Sequence, residues 1–188
     1  MKAGLVVVGV VVLLALLVGG QLMGSRNELV TDRESVNGTW SQVDVDLQRR
    51  ADLIPNLVET VKGFAKQEKD VMESIANARA GLLNARNPQE RIQANQQLDG
   101  AIGRLLIVVE NYPQLRSNEN FLRLQDELAG TDNRIAQSRR RYNESVQRYN
   151  TEIEKFPKSI SAGIFGFQRN DAYFRTDPAS RQAPSVKF

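Results

Sequence analysis

The chain has 188 residues, of which 41% are hydrophobic and 25% are charged, and its formal net charge is +3 at pH 7. It contains neither histidine nor cysteine. These absences exclude disulfide bonds, cysteine nucleophiles, zinc fingers and histidine general bases. Since the basic residues do not cluster with aromatic or groove-reading elements, nucleic acid is not an expected partner.

The N-terminus is strongly apolar, and residues 3–23 carry no charged side chain. A helix needs about 20 largely apolar residues to cross the hydrocarbon core of a bilayer. We therefore predict a transmembrane anchor over residues 1–24 that contacts lipid through residues 3–23. A cleaved signal peptide is the alternative, because the most apolar core, residues 5–18, is short enough for one. No clean Ala-x-Ala cleavage motif follows that core.

The charges that flank the span are nearly balanced. Lys2 and the terminal amine precede it, whereas Arg26 and Arg33 follow it. The positive-inside rule counts such charges, and the short N-terminal tail slightly favours a cytoplasmic N-terminus with the soluble domain outside. The opposite orientation remains open.

The stretch from Val36 to Phe64 predicts a long helix. Its apolar residues step by four and three positions, with one gap at Arg50. They are Val36, Trp40, Val43, Leu47, Ile54, Leu57, Val61 and Phe64. This spacing keeps side chains on one face of an α-helix, which must be covered by other helices. The polar residues between them are expected to face water: Asp44, Asp46, Gln48, Arg49, Asp52 and Glu59.

This first soluble helix is predicted to begin at residues 25–27, to end near Lys66 and to continue the membrane helix. Pro55 lies inside it and frees the carbonyl of Ala51, four residues earlier, with Asn56 as a candidate to satisfy groups nearby. Because the apolar spacing keeps its phase across the proline, we predict a kink. Two helices with a joint at residues 52–55 are the alternative.

Three further helices are predicted, over residues 68–84, 89–111 and 118–155. The helix at 89–111 has the broadest apolar face, through residues 106–108, and is expected to be the most buried. The predicted inward positions of the last helix include Tyr142, Tyr149 and Phe156. The simplest interpretation of these aromatic side chains is that they pack in the core.

The predicted fold is thus all-α: an N-terminal transmembrane helix followed by an antiparallel bundle of about four helices, two of them long. The bundle occupies residues 25–156. An aromatic segment, residues 157–176, is expected to pack on or near it without helical pattern, and residues 177–188 read as a flexible tail.

Two segments resemble the LemA family of bacterial membrane-anchored helical proteins. The first, TWSQVDVDLQRRADLIPNLVETVKGFAKQEKDV, and the second, RRYNESVQRYNTEIEKFP, fit the family in register. The motif residues are Trp40, Arg49, Arg50, Asp52, Pro55, Asn56, Tyr149, Asn150, Phe156 and Pro157. The resemblance implies a helical bundle on a single span in the bacterial inner membrane, and no established enzymatic activity. It also implies associations with magnetosome membranes and with membrane metallopeptidases that attach to no particular residue here.

Two charged groups are the remaining chemical candidates. Asp44, Asp46 and Asp52 point to different sides of a helix, which indicates a solvated face rather than a metal or acid–base site. A basic run could form an anion or lipid face, although consecutive residues fan out around a helix and a solvated face pairing with bundle acids is the simpler interpretation. Its members are Arg134, Arg139, Arg140, Arg141 and Arg148.

The predicted function is that of a non-enzymatic scaffold or interaction protein at a membrane. It requires no cofactor and no metal, and it acts as a homo-oligomer or through other membrane proteins. No nucleophile elbow, phosphate-binding loop or metal motif favours an enzyme. The alternative is a module that binds lipid, peptide or cell-wall fragments, or an adaptor for a membrane protease.

Overall fold

The computed structural model describes residues 2–175, and within that range it contains six helices and no strand. They are α1 (Lys2–Lys62), α2 (Lys69–Asn84), α3 (Pro88–Val109), α4 (Pro113–Arg116), α5 (Glu119–Glu154) and α6 (Lys158–Phe165). The prediction of an all-α fold with an apolar N-terminal helix is confirmed. The predicted flexible tail, residues 177–188, lies outside the described residues.

The chain divides into two compact units. Unit 1 combines the start of the chain, up to Thr39, with Arg141–Asp171. Unit 2 combines Trp40–Arg140 with the last described residues, 172–175. The long helices α1 and α5 each contribute one part to each unit.

Unit 1 begins with the exposed apolar part of α1. From Ser25 onward, α1 buries one face against the second part of α5, and Leu29 and Val36 are buried there. The two helices run antiparallel: Thr39 Oγ1 lies 2.7 Å from Ser145 Oγ, and Arg148 Nε lies 3.1 Å from Asp32 Oδ1. The chain then turns after α5 into α6.

Unit 2 packs the rest of α1 with α2, α3, α4 and the first part of α5. Its core contains most of the apolar stripe residues that the sequence predicts, because the three–four spacing places them on one face of each helix. Phe64 is an exception: it lies beyond the end of α1 and is exposed. The fully buried large side chains are Leu47, Ile54, Leu57, Ile75, Leu82, Leu98, Leu105, Leu115, Phe121 and Ile135. Helix α1 continues through Pro55. One continuous helix is therefore correct, and two helices with a joint at that point are not.

The connection between α2 and α3 follows the predicted turn. Asn87 is the N-cap of α3, and its side-chain oxygen accepts a hydrogen bond from the backbone N–H of Glu90 at 2.9 Å. In return, the Glu90 carboxylate accepts one from the Asn87 amide at 2.7 Å. Pro88 occupies the first helical position, where its missing N–H costs nothing.

Several predicted exposures are wrong. Asp46 is buried instead of facing water, whereas Leu106 and Ile107 are exposed, so the apolar face of α3 is narrower than expected. Phe156 is 82% exposed. It lies beyond the last residue of α5, so the helical spacing that predicted an inward side chain no longer applies there.

Two short helices were not predicted. Helix α4 has 4 residues and α6 has 8, both too short to show a clear apolar period. Helix α6 corrects the expectation that helical structure stops at Pro157. It ends at Gly166, whose φ of 71° is the left-handed conformation that glycine adopts without strain.

Candidate functional site

The gap in the apolar stripe of α1 is occupied by a buried arginine. Arg50 is only 4% exposed. Its Nη1 donates a hydrogen bond to Asn95 Oδ1 at 3.0 Å and also contacts Asp99 Oδ1. Its Nε lies 3.3 Å from Asp132 Oδ1. We call Arg50, Asn95, Asp99, Asp132 and Arg139 the polar cluster; it joins α1, α3 and α5 within unit 2.

The polar cluster balances two arginines against two aspartates. Asp99 Oδ2 accepts a hydrogen bond from Asn95 Nδ2 at 3.0 Å and lies 3.9 Å from Arg139 Nη2. Burial raises the pKa of Asp132, and Asp99 adds to that rise while Arg50 and Arg139 oppose it. Burial likewise lowers the pKa of Arg139. Such a network of opposite charges fixes how helices pack.

The turn that carries Arg50 makes a second polar contact through its backbone. Pro55 has no N–H to donate to the carbonyl of Ala51, and Arg79 Nε on α2 donates to that oxygen instead, at 2.7 Å. Asn56, the residue suggested for such a role, is exposed. The adjacent residues Arg50 and Ala51 thus tie α1 to α2, α3 and α5.

The remaining charges of the first motif do not converge. Arg49 and Asp52 are exposed, and Asp52 accepts a hydrogen bond from Gln48 at 2.9 Å. Asp44 pairs with Arg91 Nε at 2.5 Å, whereas Asp46 is buried beside Leu47. Within residues 2–175, no three metal-binding side chains are grouped to hold a metal ion.

The second motif holds the segment that follows α6, residues 167–171, which we call the strap. Tyr149 Oη donates to the carbonyl of Gln168 at 2.9 Å. Asn150 Nδ2 donates to the carbonyl of Asn170 at 2.7 Å, and its Oδ1 accepts from the Asn170 N–H at 2.9 Å. Burial raises the pKa of the Tyr149 phenol. The motif side chains thus satisfy strap backbone that forms no regular secondary structure.

Aromatic residues near the C-terminus lie over cations. In unit 1, the guanidinium of Arg26 lies 5.4 Å from the centre of the Phe165 ring, and Arg33 lies 5.5 Å from that of Phe167. In unit 2, Phe174 stacks on Trp40 with 6.2 Å between ring centres, and Arg139 lies 4.9 Å from the same Phe174 ring. These are cation–π distances. The motif tryptophan therefore contacts an aromatic residue from the far end of the chain.

The basic run has mixed surroundings. Arg134 donates to Thr131 at 3.0 Å, Arg139 belongs to the polar cluster, and Arg148 pairs with Asp32. Arg140 and Arg141 are exposed. An anion or lipid face on these residues stays a prediction.

The sequence contained an unused signal for the polar cluster. Asn95 is a buried polar residue. It stands three positions from the buried Ile92 and Leu98 of its own helix, as Arg50 stands three and four positions from Leu47 and Ile54 in α1. A polar residue at an inward helical position indicates a hydrogen-bonded partner across the interface, because leaving it unpaired is costly. Asp99 and Asp132, which do not follow the stripes, offered no such signal.

Comparisons with known proteins found relatives of this chain. Protein LemA of Metamycoplasma hominis is 23% identical over 114 residues, which are 60% of this chain and 52% of that protein. Magnetosome protein MamQ 2 of Paramagnetospirillum magneticum is 29% identical over 184 residues, 84% of this chain and 67% of that protein. Magnetosome protein MamQ of Magnetospirillum gryphiswaldense is 27% identical with the same coverage. The chain thus spans about half the length of the first relative and about two thirds of the others.

The match to the family itself is broader than either motif. The LemA family profile covers residues 39–188, from the residue before Trp40 through both motifs. This chain therefore belongs to the LemA family.

Proposed function

We propose that this protein is a membrane-anchored, non-enzymatic scaffold that acts by self-association or by binding other membrane proteins. One observation carries the proposal. Helix α1 runs unbroken from Lys2 to Lys62 and combines an exposed apolar end with a face that is buried in the helical core. The large apolar side chains from Leu5 to Val18 are 51–74% exposed.

Such exposure is unfavourable in water and favourable in lipid. The most apolar window of α1 has a mean hydropathy of 2.8, and none of it is buried within the protein. A helix of this length and composition fits the hydrocarbon core of a bilayer. The magnetosome proteins among the relatives support a membrane role as well. We further propose the bacterial inner membrane, with the bundle outside the cytoplasm.

The polar cluster supports a structural role over catalysis. Its two carboxylates are neutralised by two arginines. A general base or nucleophile needs a free group with a pKa suited to proton transfer, whereas these groups hold helices together. Exposed apolar residues on the bundle, such as Val45 and Ile107, are the proposed contacts with partners.

Cross-linking tests the scaffold. Because the chain has no cysteine, Val45→Cys and Ile107→Cys each introduce a single thiol into the full-length protein. We expect a bis-maleimide to trap a dimer or a second membrane protein in intact membranes. Gln125→Cys, at an exposed polar position, is the control. Only monomers from both apolar sites would overturn the scaffold, and trapping of a membrane protease would specify an adaptor.

Orientation has a separate test. Ser35→Cys places a thiol on an exposed position of α1. A membrane-impermeant maleimide should label this thiol in spheroplasts, whose inner membrane is intact. Labelling only after the membrane is opened would place the bundle in the cytoplasm.

A second candidate is the binding of a single-chain amphiphile with an anionic head group. A groove of about 500 Å³ between α1 and α2 has the apolar side chains of Val58, Met72 and Ala76 in its lining. Lys62, Lys66, Lys69 and Glu73 complete it. The surplus of positive charge beside an apolar lining suits a carboxylate or phosphate on an acyl chain.

Photo-cross-linking tests this candidate. A photoactivatable fatty acid should label the groove of the full-length protein in membranes. The double variant Lys66→Glu/Lys69→Glu should lose the label, whereas Lys155→Glu, in unit 1, should keep it. Equal labelling of all three proteins would contradict groove binding.

A further inference from the structure

Helix α6 lies against α1 where the apolar span ends. Ser161 Oγ is 3.5 Å from the carbonyl oxygen of Leu22. At the end of α6, the ring of Phe165 lies beneath the guanidinium of Arg26, 5.4 Å away. These contacts set α6 beside residues 22–26, at the end of the apolar stretch that the proposed anchor places in lipid.

The two faces of α6 differ in polarity and burial. Ser161 and Ala162 are buried against the rest of unit 1. Ile160 and Ile164 are 50% and 60% exposed. They stand four positions apart and therefore share one face of the helix. Phe156, which precedes the helix, is also exposed.

The charged groups near α6 are held together at its first turn. Lys158 Nζ lies 2.6 Å from Glu28 Oε2 and 2.5 Å from Glu152 Oε2. This three-residue contact ties the start of α6 to α1 and α5. The isoleucines are thus left as the outward apolar surface of a helix that the ion pairs and the Leu22 contact hold in place.

We propose that α6 is a second membrane contact, in which Ile160 and Ile164 enter the interface of the bilayer that residues 3–23 cross. The proposal rests on the anchor of the proposed function. Lipid is the occupant because Ser161 of α6 contacts Leu22 at the end of the span, and the next residue of α1, Met23, is itself exposed and apolar. A short helix beside a span reaches the boundary between head groups and acyl chains without crossing it.

The consequence is contact at two points. A single span allows rotation about its own axis, whereas a helix fixed beside it and seated in the interface selects one orientation of unit 1. Such interfacial anchors set the tilt and rotation of spans.

Fluorescence quenching in vesicles tests the proposal. Ile160→Cys and Ile164→Cys, each in the full-length chain, carry an environment-sensitive thiol dye after reconstitution of the purified protein into phosphatidylcholine vesicles. Leu17→Cys is the control inside the span, and Ser35→Cys is the exposed control beyond it. Unchanged thermal melting of each variant verifies folding. The quenchers are brominated phosphatidylcholine and aqueous iodide.

We expect brominated lipid to quench positions 160 and 164 at least about twofold more than position 35, and iodide to show the reverse order. Quenching of 160 and 164 by iodide alone, with position 17 quenched by lipid, would overturn the α6 contact and leave the anchor intact. Protection from both quenchers would show that a second copy covers the face, which also overturns it. If lipid fails to quench position 17, the anchor fails and the α6 contact falls with it.

Discussion

The carbonyl oxygen of Ala51 accepts a hydrogen bond from Nε of Arg79 at 2.7 Å, from one helix to the next. Pro55 leaves this carbonyl without its helical donor, because a residue with an N–H at that position would bond to it within α1. The family motif thus uses a proline to open a backbone acceptor, and α2 supplies the donor.

Replacing Arg79 should strongly lower the free energy of unfolding only while Pro55 is present. Arg79→Met leaves the Ala51 carbonyl without its donor and should lower the free energy of unfolding by about 1–3 kcal/mol. In a Pro55→Ala background, the helix supplies the donor and the same change should cost less than about half as much. Chemical denaturation of the four proteins gives this coupling energy. Equal costs in both backgrounds would contradict the contact.

Removing the acidic side chains of the polar cluster should destabilise the protein more than removing the side chain of Arg50. The side chains of Asp99 and Asp132 are 41% and 51% exposed, whereas that of Arg50 is 5% exposed. Without Arg50 the carboxylates remain partly hydrated, but without the carboxylates the arginine is a buried, uncompensated charge. The double variant Asp99→Asn/Asp132→Asn should therefore lose about 3–5 kcal/mol, and Arg50→Met about 1–2 kcal/mol.

A triple variant is the control for this asymmetry. Adding Arg50→Met to the double variant removes the uncompensated charge and should recover part of the lost stability. Denaturant melts of the full-length protein in detergent measure all three. If the triple variant is less stable than the double, the buried charge is not the origin of the loss.

The strap should detach when the side-chain amide of Asn150 is removed. Asn150→Leu loses both hydrogen bonds to the backbone of Asn170. We expect hydrogen exchange of residues 167–171 to rise at least about tenfold, because each lost bond contributes about 1 kcal/mol to local closure. Thr151→Ala, at the exposed neighbouring position, is the control. Exchange that is unchanged in Asn150→Leu would show that other contacts hold the strap.

The ion pairs of Lys158 with Glu28 and Glu152, at the start of α6, should weaken both in strong acid and in strong base. Hydrogen bonds from Lys158 and Lys155 lower the pKa of Glu152 below its usual 4.5. The contribution of Glu152 to stability is present above pH 4.5 and is lost as the pH falls through the lower pKa of the folded state. Hydrogen bonds to Glu152 and Glu28 raise the pKa of Lys158 above 10.5, so its contribution is complete below 10.5 and is lost as the pH rises through the folded value.

Spin-label mobility measures this dependence. A nitroxide on Gly163→Cys, where no neighbouring atom lies within 4 Å of an added Cβ, should show the restricted mobility of a label on an ordered helix surface near neutral pH. Its mobility should increase in strong acid and in strong base. Glu152→Gln should remove the acid step, and Lys158→Met should leave the label mobile throughout. A mobility that is constant with pH in the native protein would contradict the prediction.

The helices and their buried faces could be predicted from the sequence because a helical stripe is a local property. Leu47, Ile54 and Leu57 repeat at helical spacing, and nothing distant is needed to place them inward. The continuity of α1 through Pro55 followed from the same spacing. The short helix α6 could not be found in this way, since contacts with Leu22 and Arg26 support it.

The polar cluster was harder to predict because its partners lie on different helices. Arg50 was visible only as a gap in a stripe, and its burial depends on Asp99 and Asp132 from two other helices. Arg79 had no signal at all, because the acceptor it serves is a backbone group. Tyr149 and Asn150 were identified by the family motif, but the sequence did not reveal that they bind the strap.

Arg50 and Ala51 stand next to each other, and between them they hold three neighbouring helices through one turn of α1. Separation of α2, α3 or α5 from this turn removes a partner of the Ala51 carbonyl or of Arg50. Opening of this unit is therefore cooperative, since peeling away one helix exposes a charge or a carbonyl that the rest of the unit no longer satisfies. In native-state hydrogen exchange, the central parts of α1, α2, α3 and α5 in unit 2 should form a single foldon with one common opening free energy.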